Sequence, residues 1–174
     1  KAEIISFIGR ILSPRTRKTK NKYLQIGCGN SLPNNFDNID FFPTKARDIK
    51  SVKHICHDLR YPLPYEDNTF EGGFTEHTLE HLYYDESINL LREIKRVLKP
   101  NSILRCTIPD LRKYVNFYNG NISNSFFEKF DYKAQAIWSL TQNYQHRSVW
   151  NYELLSNKMK EIGLKDIVKK KFNE

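Results

Sequence analysis

The sequence has no apolar run of the roughly 20 residues that a membrane span needs, and it shows no signal peptide with a cleavage site. Its 174 residues include only three cysteines, at positions 28, 56 and 106, and no Cys-x-x-Cys spacing. An odd number of widely separated cysteines is typical of small buried residues in a reducing compartment. We therefore expect a cytoplasmic protein, with a peripheral position at the inner membrane surface as an alternative.

Charge is unevenly distributed along the chain. The formal net charge is +8, yet residues 1–22 carry seven basic and one acidic side chain, residues 165–174 carry four and two, and the remainder is neutral. Basic tails favour an anionic surface partner, such as a membrane, a nucleic acid or another protein, over an anionic substrate in the pocket. The ordinary alternative is a solvated charged surface.

The N-terminal region, residues 1–21, reads as an amphipathic helix followed by a basic linker. Residues 3–12 carry an apolar stripe that ends at Ser13 and Pro14. The stripe consists of Ile4, Ile5, Ile8, Ile11 and Leu12. Such a helix either lies on an anionic membrane surface or packs on its own domain. Residues 22–174 are then one domain, long enough for a single core.

The stretch 22–40, KYLQIGCGNSLPNNFDNID, predicts a nucleoside-binding site. An apolar strand from Tyr23 to Ile26 leads into a turn with Gly27 and Gly29, and a second short strand ends in the carboxylate of Asp40. Glycines after a buried strand let the backbone turn sharply and let a ligand approach closely. An acid that ends the next strand can accept hydrogen bonds from both ribose hydroxyls.

Further strands and helices alternate along the chain and predict a mostly parallel α/β sheet with helices on both faces. We expect strands over 52–56, 69–75, 102–108 and 164–171, and helices over 85–99 and 152–162, the first capped by Asp85 and the second followed by Gly163. Only nine residues, 30–38, separate Gly29 from the second strand, too few for an ordinary crossover helix, which we expect to be shortened or missing.

The segment 111–150 interrupts this alternation and is rich in aromatic residues. We interpret it as a partly helical insertion after the fifth strand that forms the wall of a substrate pocket. An ordinary second core is the alternative.

The order of the motifs resembles that of the class I S-adenosylmethionine-dependent methyltransferases, closely over 22–111 and more loosely over 144–164. The motifs are YLQIGCGN, NID, HDLRYPLPYEDNTFEGGFTEHTLEHL and LLREIKRVLKPNSILRCTIPDL. The chain is similar in particular to a compact bacterial subgroup of predicted methyltransferases, and the resemblance implies a Rossmann-like sheet. Two features depart from the common pattern: Ser31 stands where a third glycine is frequent, and the first crossover is short. In addition, no residues are left for the seventh strand that is common in the family.

The same resemblance assigns residues to the methyl donor, S-adenosylmethionine. It implies that the turn of Gly27, Cys28 and Gly29 passes the methionine part, and that Asp40 holds the ribose hydroxyls. Asp58 then accepts from the adenine amino group, with Leu59 alongside. Carboxylates opposite amino and hydroxyl donors make the stronger, charge-assisted kind of hydrogen bond.

The motif HTLEH, residues 77–81, suggests two kinds of metal chemistry. It matches the HxxEH pattern of inverted zinc peptidases, in which His77 and His81 share one helical face with Glu80 close by. Its position at the end of a strand in a nucleoside-binding sheet makes a zinc hydrolase the minor alternative.

Some hydroxyl methyltransferases resemble this chain more closely, because they bind a divalent metal through an ExxEH motif at this position. The small-RNA 2′-O-methyltransferases add a later histidine before a tryptophan-containing segment. That resemblance implies a metal site of His77, Glu80, His81 and His146. Three imidazoles and one carboxylate would suit Mn, Fe or Zn better than Mg. The alternative is that Glu80 and His81 bind no metal and only form hydrogen bonds that hold the loop together.

The acceptor is predicted to be an oxygen atom. No NPPY-like motif for amino methylation and no Pro-Cys nucleophile is present. An alcohol needs a metal or a general base to lose its proton, and His77, His81 and His146 are the candidate catalytic residues. We therefore predict O-methylation of a sugar, a glycan precursor or another small metabolite.

Two alternatives to this function remain. The same chemistry could act on a 2′-hydroxyl of RNA that the basic tails recruit. A non-catalytic methyltransferase-like binding domain is the other, motivated by Ser31 and the missing last strand.

Overall fold

A computed structural model describes residues 17–41, 54–122 and 124–171. The predicted helix over 3–12 lies outside these residues. The chain forms two compact units, one containing the described residues up to Thr78 together with Asn89–Thr107, the other containing Leu79–Ile88 and the residues from Ile108 onward. Within the described part of the chain, no helix combines the length and the apolar character needed to cross a bilayer.

The first unit is built on a parallel sheet, as the sequence predicted, with five strands. The strands are β1 (Tyr23–Ile26), β2 (Phe36–Asp40), β3 (His54–Cys56), β4 (Phe70–Glu76) and β5 (Leu98–Thr107). Their spatial order is β3-β2-β1-β4-β5, and all four neighbouring pairs are parallel. In such an open sheet, ligands bind beyond the carboxyl ends of the strands, next to the point where the strand order reverses. Here that point lies between β1 and β4.

The connection from β1 to β2 contains no helix, which confirms the predicted loss of the first crossover helix. It consists of the nine residues 27–35. β2 starts earlier than the sequence indicated, because Asp37 and Asn38 are fully buried despite their polarity. Asp37 is compensated by three hydrogen bonds, since Thr19 Oγ1, Asn21 Nδ2 and Tyr65 Oη donate to its carboxylate at 2.7, 2.8 and 2.9 Å.

Four helices follow β4 in the described part of the chain. They are α1 (Tyr84–Val97), α2 (Leu111–Tyr118), α3 (Lys133–Gln142) and α4 (Tyr152–Glu161), with short 3₁₀ turns at Leu79–His81 and Asn143–Gln145. Asp85 lies within the first turn of α1 and does not precede it as a cap. The helix ends at Val97, two residues before the position preceding Pro100, where α-helical conformation is disfavoured.

The helical segment after β5 is confirmed, whereas the predicted sixth strand over 164–171 is wrong. Gly163 ends α4 as expected, with a φ of 87° and with the Leu164 N–H donating to the Met159 carbonyl at 2.9 Å. Beyond this cap the chain does not stay extended, because Asp166 adopts a left-handed φ of 52°. Val168 is 67% exposed, so it contributes little to burial.

Candidate functional site

The glycine turn after β1 has the conformation that the sequence predicted. The N–H groups of Gly27 and Cys28 donate to the Ile39 carbonyl of β2 at 2.9 and 3.3 Å. Gly27 and Gly29 have φ values of 68° and 52°, a left-handed region that side chains disfavour. A Cβ at Gly27 would overlap the Thr78 side chain, whereas a Cβ at Gly29 would meet no atom within 4 Å. The turn is therefore closed against the protein at Gly27 and open at Gly29.

Asp40 is tied directly to this turn. The Gly29 N–H donates to Asp40 Oδ2 at 2.8 Å, which fixes the carboxylate at the end of β2 beside the open glycine. Burial, followed by the charge of Asp40, raises the pKa of the Cys28 thiol to about 12. A thiol with so high a pKa is neutral and poorly nucleophilic at physiological pH, so Cys28 packs in the turn and supplies no nucleophile.

The predicted adenine-binding pair lies after β3, where both side chains are buried. Asp58 is 6% exposed and Leu59 is 7% exposed. The Asp58 carboxylate accepts from Arg60 Nε at 2.9 Å and from Arg60 Nη2 at 2.7 Å. An adenine amino group would therefore share this carboxylate with a guanidinium, and the adenine role of Asp58 stays a prediction.

The second unit contains a cluster of potential metal ligands, which we call the Glu80 cluster: Glu80, His81 and His146. One ligand atom from each residue lies within 4.8 Å of the others. Glu80 is 2% exposed. The two imidazole rings meet edge to face with centroids 4.9 Å apart. Among the described residues this is the one such group. It joins three of the four predicted ligands.

The His146 ring is oriented by a backbone carbonyl. His146 Nδ1 lies 2.7 Å from the carbonyl oxygen of Leu140, at the end of α3. Because a carbonyl can only accept a hydrogen bond, Nδ1 must carry the hydrogen, and Nε2 of the neutral ring keeps its lone pair. Such backbone contacts are typical of histidines that bind a metal or accept a proton.

Backbone hydrogen bonds hold residues 146–150 against the 3₁₀ turn that carries Glu80. The Glu80 carbonyl accepts from the N–H groups of Arg147 and Ser148 at 2.7 and 3.2 Å. Ser148 Oγ donates to the Leu79 carbonyl at 3.1 Å and accepts from Trp150 Nε1 at 2.8 Å. Trp150 is 1% exposed, so a buried indole anchors this contact.

The predicted HxxEH helix is not formed, which removes the geometric basis of the zinc-hydrolase alternative. β4 continues to Glu76, and only Leu79–His81 is helical, as a single 3₁₀ turn. His77 has a left-handed φ of 48°, and its N–H donates to the Thr107 carbonyl in β5 at 3.0 Å. His77 belongs to the first unit, and its catalytic and ligand roles stay predictions.

The sequence offered Tyr114, together with Tyr83 and Asp110, as a candidate for orienting the substrate, and Tyr114 lies near the Glu80 cluster. It lies on α2 and is half-buried, with its ring edge to face against Phe127 at 5.3 Å. Burial, then the charge of Glu80, raises the pKa of the Tyr114 phenol, which therefore stays neutral.

Comparison with known proteins relates one part of the chain to a protein family. Residues 24–106 match the family model described as a methyltransferase domain. A search of curated proteins finds no match.

Three solved structures share the fold at low sequence identity. A methyltransferase from Thermotoga maritima, described as a possible histamine N-methyltransferase, is 17% identical, with a TM-score of 0.55 over 93% of this chain and 69% of that one. An S-adenosylmethionine-dependent methyltransferase from Archaeoglobus fulgidus is 18% identical, with a TM-score of 0.54 over 95% and 70%. A putative methyltransferase from Bacillus halodurans is 16% identical, with a TM-score of 0.55 over 92% and 68%.

Proposed function

We propose that the protein is a class I S-adenosylmethionine-dependent methyltransferase and that it methylates a hydroxyl oxygen of a sugar, a glycan precursor or another small metabolite. The match of residues 24–106 to the methyltransferase-domain model supports the methyl-transfer part of this proposal. The observation that carries the choice of oxygen is the Glu80 cluster, which joins two imidazoles and a buried carboxylate in the second unit. An alcohol loses its proton reluctantly, and these groups are suited to help it do so.

The first unit is proposed to hold the methyl donor through the residues that the sequence indicated. Gly29 leaves open space on one side of its backbone, and Asp40 stands beside it, held by the Gly29 N–H at 2.8 Å. A ligand can therefore approach the turn without meeting a side chain, and its hydroxyls can donate to Asp40. Asp58 and Leu59 would receive the adenine. The donor supplies a methyl group activated by a positively charged sulfur.

The proposed reaction is an in-line displacement. The acceptor oxygen attacks the methyl carbon, an oxygen–carbon bond forms, and the electron pair of the carbon–sulfur bond returns to sulfur. The hydroxyl proton passes to an imidazole nitrogen. His146 Nε2 is the best oriented candidate, because the contact between Nδ1 and the Leu140 carbonyl leaves it as an acceptor. The protein otherwise contributes alignment.

The Glu80 cluster also fits a divalent metal, and we propose it as the site of one. Two imidazoles and one carboxylate suit Fe, Mn or Zn, and the bond from His146 Nδ1 to a carbonyl is the usual support of a ligating histidine. A metal held there would lower the pKa of an acceptor hydroxyl. Glu80 and His81 would then serve as ligands together with His146, whose Nε2 would bind the metal instead of accepting the hydroxyl proton.

Calorimetric titration with S-adenosylmethionine tests the donor site. We expect binding, and we expect Asp40→Ala to weaken it at least tenfold, as loss of a charge-assisted hydrogen bond implies. Asp67→Ala is the matched control, since this carboxylate of the first unit is 68% exposed and pairs with Arg96. Absence of binding, or equal affinity in the Asp40 variant, would contradict the proposal.

Elemental analysis after supplementation with Mn, Fe or Zn tests the metal site. We expect about one equivalent of metal per chain, lost in His81→Ala and in His146→Ala. Glu153→Ala is the control, because this carboxylate of the second unit is 69% exposed. A metal-free protein, or unchanged content in both histidine variants, would remove the metal and leave the imidazoles only as proton acceptors.

Transfer of labelled methyl groups to a panel of sugars, glycan precursors and RNA tests the acceptor class. Products on sugar hydroxyls are expected, with little dependence on salt. Labelled RNA with a steep loss of activity at higher salt would instead favour recruitment by the basic tails. Labelling of amines alone would contradict O-methylation.

A further inference from the structure

The Glu80 cluster is followed directly by an arginine that is held at its backbone and at its side chain. Arg147 comes one position after His146, and its N–H donates to the Glu80 carbonyl at 2.7 Å. Its guanidinium lies over the Tyr83 ring, 5.0 Å from the ring centroid. The negative face of an aromatic ring attracts a cation placed above it. The two contacts hold this positive charge beside the turn that carries the cluster.

No carboxylate in the part of the chain that the structure describes neutralises Arg147. Arg112, on α2 of the same unit, pairs by contrast with Glu153 at 3.7 Å. Glu86 accepts a hydrogen bond from the Tyr83 N–H at 2.9 Å and forms no ion pair with Arg147. The contact with the ring uses none of the five N–H donors of the guanidinium as hydrogen-bond donors. The second unit therefore presents a positioned cation whose donors are available to a ligand.

We propose that Arg147 binds an anionic group, a phosphate or a carboxylate, on the methyl acceptor. The inference rests on the proposed function, in which His146 accepts the hydroxyl proton or binds a metal. It narrows the acceptor to an anionic sugar, such as a sugar phosphate or a uronic acid. The Cα atoms of neighbouring residues are about 3.8 Å apart. One hexose is large enough to present a hydroxyl to His146 and an anionic group to Arg147.

The chemistry of a guanidinium held over a ring fits such a group. The donors of arginine form a rigid, planar fork that matches the two oxygens of a phosphate or a carboxylate, and the resulting hydrogen bonds are charge-assisted. Because the Tyr83 ring already restricts the side chain, less conformational entropy is lost when an anion binds. The sequence gave no sign of this cation, since the charge of the central region is balanced overall.

An exposed aromatic ring precedes His146 and supports a ring-shaped acceptor. Tyr144 is 79% exposed, and its ring centroid lies 6.1 Å from that of His146. Tyr144 and Gln145 have left-handed φ values of 57° and 62°, and the His146 N–H donates to the Asn143 carbonyl at 3.2 Å. Such conformations are uncommon outside glycine and concentrate at ligand sites. The ring offers an apolar face on which a sugar can rest.

A single cation favours a small anion over a nucleic acid. Proteins that bind single-stranded RNA follow its backbone with several basic side chains. The first turn of α1, which starts one position after Tyr83, instead carries the acids Asp85 and Glu86. These carboxylates would repel a second phosphate group, so the surroundings of Arg147 suit one anionic group and not a chain of them.

Titration of the arginine Nε–H resonances by NMR tests the anion site without donor or acceptor. The probes are inorganic phosphate and acetate at constant ionic strength. We expect the Arg147 resonance, identified by its loss in Arg147→Gln, to shift saturably at about tenfold lower concentration than that of Arg112. Arg112 is the control because its side chain is 66% exposed in the same unit. Tighter binding of phosphate would indicate a phosphoryl group on the acceptor, and tighter binding of acetate a carboxylate. Equal, unsaturated shifts of both arginines would overturn the proposal.

Methyl transfer to glucose 6-phosphate, glucuronate and glucose tests the role of Arg147 toward the acceptor. We expect Arg147→Gln to raise KM for the two anionic sugars about tenfold and to leave kcat within threefold, because binding of the anion is equal in ground and transition state. Arg147→Lys keeps the charge without the fork and should fall between. Arg112→Gln is the control and should change neither constant. A preference for glucose, or an unchanged KM in Arg147→Gln, would overturn the proposal.

Two outcomes separate this inference from its neighbours. If no sugar hydroxyl is methylated, the proposed function fails, whereas Arg147 stands as an anion site if it binds phosphate and falls if it does not. Binding of a single-stranded RNA that Arg147→Gln abolishes and that weakens steeply with salt would assign the cation to RNA and overturn the proposal.

Discussion

The two units of the protein are stabilised by different kinds of contact. In the first, aliphatic side chains on the parallel strands, such as Leu24, Ile26 and Ile39, are completely buried. In the second, aromatic rings pack in pairs, as in the parallel stack of Phe117 on Phe127 with centroids 4.4 Å apart. Helix α2 buries none of its residues completely. Buried aliphatic side chains on the strands therefore stabilise the first unit, whereas a few paired aromatic rings stabilise the second.

The aromatic segment therefore contains a small core of its own. Phe127 is 2% exposed, Ala136 is fully buried, and Leu140 is 2% exposed. These positions support the second-core interpretation of 111–150. The pocket-wall interpretation stays a prediction, for which the exposed Tyr144 and the half-buried Tyr114 are the nearest candidates.

The largest expected effect comes from removing the central aromatic anchor of the second unit. Phe127→Ala should lower the free energy of unfolding by about 4 kcal/mol, because a large buried ring leaves a cavity. If the units are energetically separate, S-adenosylmethionine affinity should stay within a factor of two. Phe126→Ala is the control, since that ring is 48% exposed. Chemical denaturation measures the free energy of unfolding, and calorimetry measures the S-adenosylmethionine affinity. A loss of affinity alongside the loss of stability would show that the two units are not energetically separate.

A substitution at Gly27 tests the first unit by adding a side-chain atom instead of removing a side chain. Gly27→Ala should cost about 3 kcal/mol of stability or an equivalent hundredfold of donor affinity, because it adds left-handed strain and overlaps Thr78. Gly120→Ala is the matched control in the second unit. It also has a positive φ, of 79°, but its added Cβ would meet only the flexible end of Lys133. Equal effects at both glycines would show that left-handed backbone strain, and not the overlap with Thr78, determines the cost.

Substitution of Asp37, the buried carboxylate of β2, should have a smaller effect, and on stability alone. Asp37→Asn should lower the free energy of unfolding by about 2 kcal/mol, because it weakens the bonds from Thr19, Asn21 and Tyr65. Asp110→Asn should change stability less, since Asn caps helices as well as Asp does and the Asp110 carboxylate lies at the start of α2. Urea denaturation measures the free energy of unfolding of both variants. A larger loss of stability in the Asp110 variant would contradict this expectation.

The smallest expected effect is a pH dependence confined to the first unit. Burial lowers the pKa of His57 below its ordinary value of about 6.5. The unfolded state then binds the proton more readily, so the stability contributed by neutral His57 is present above about pH 6.5 and is lost as the pH falls below it. His57→Gln should flatten the melting temperature between pH 7 and pH 5. An unchanged pH dependence of the melting temperature in this variant would contradict the role assigned to His57.

The sequence predicted the parts of the fold that depend on local patterns. The glycine turn, the missing crossover helix and the cap at Gly163 all follow from residue types at fixed positions. The start of β2 was missed because Asp37 and Asn38 are polar yet buried, and only tertiary hydrogen bonds reveal this. The sixth strand failed because one left-handed residue, Asp166, interrupts a pattern that otherwise reads as extended.

The candidate site was predictable only in part. Asp40 could be placed beside Gly29 because both follow neighbouring parallel strands. The contact of His146 with His81 joins residues 65 positions apart, and only the resemblance to metal-dependent methyltransferases suggested it. The predicted HTLEH helix does not form, because the His77 N–H donates to the Thr107 carbonyl and so continues the pairing of β4 with β5.

The helix-free connection between β1 and β2 also bears on the order in which the sheet assembles. Tyr23 meets Phe36 only 13 positions later, but it meets Gly72 after 49 positions. Closing a short loop restricts the unfolded chain less than closing a long one, and local pairings form faster. The pairing of β1 with β2 should therefore be an early folding event, onto which β4 adds later.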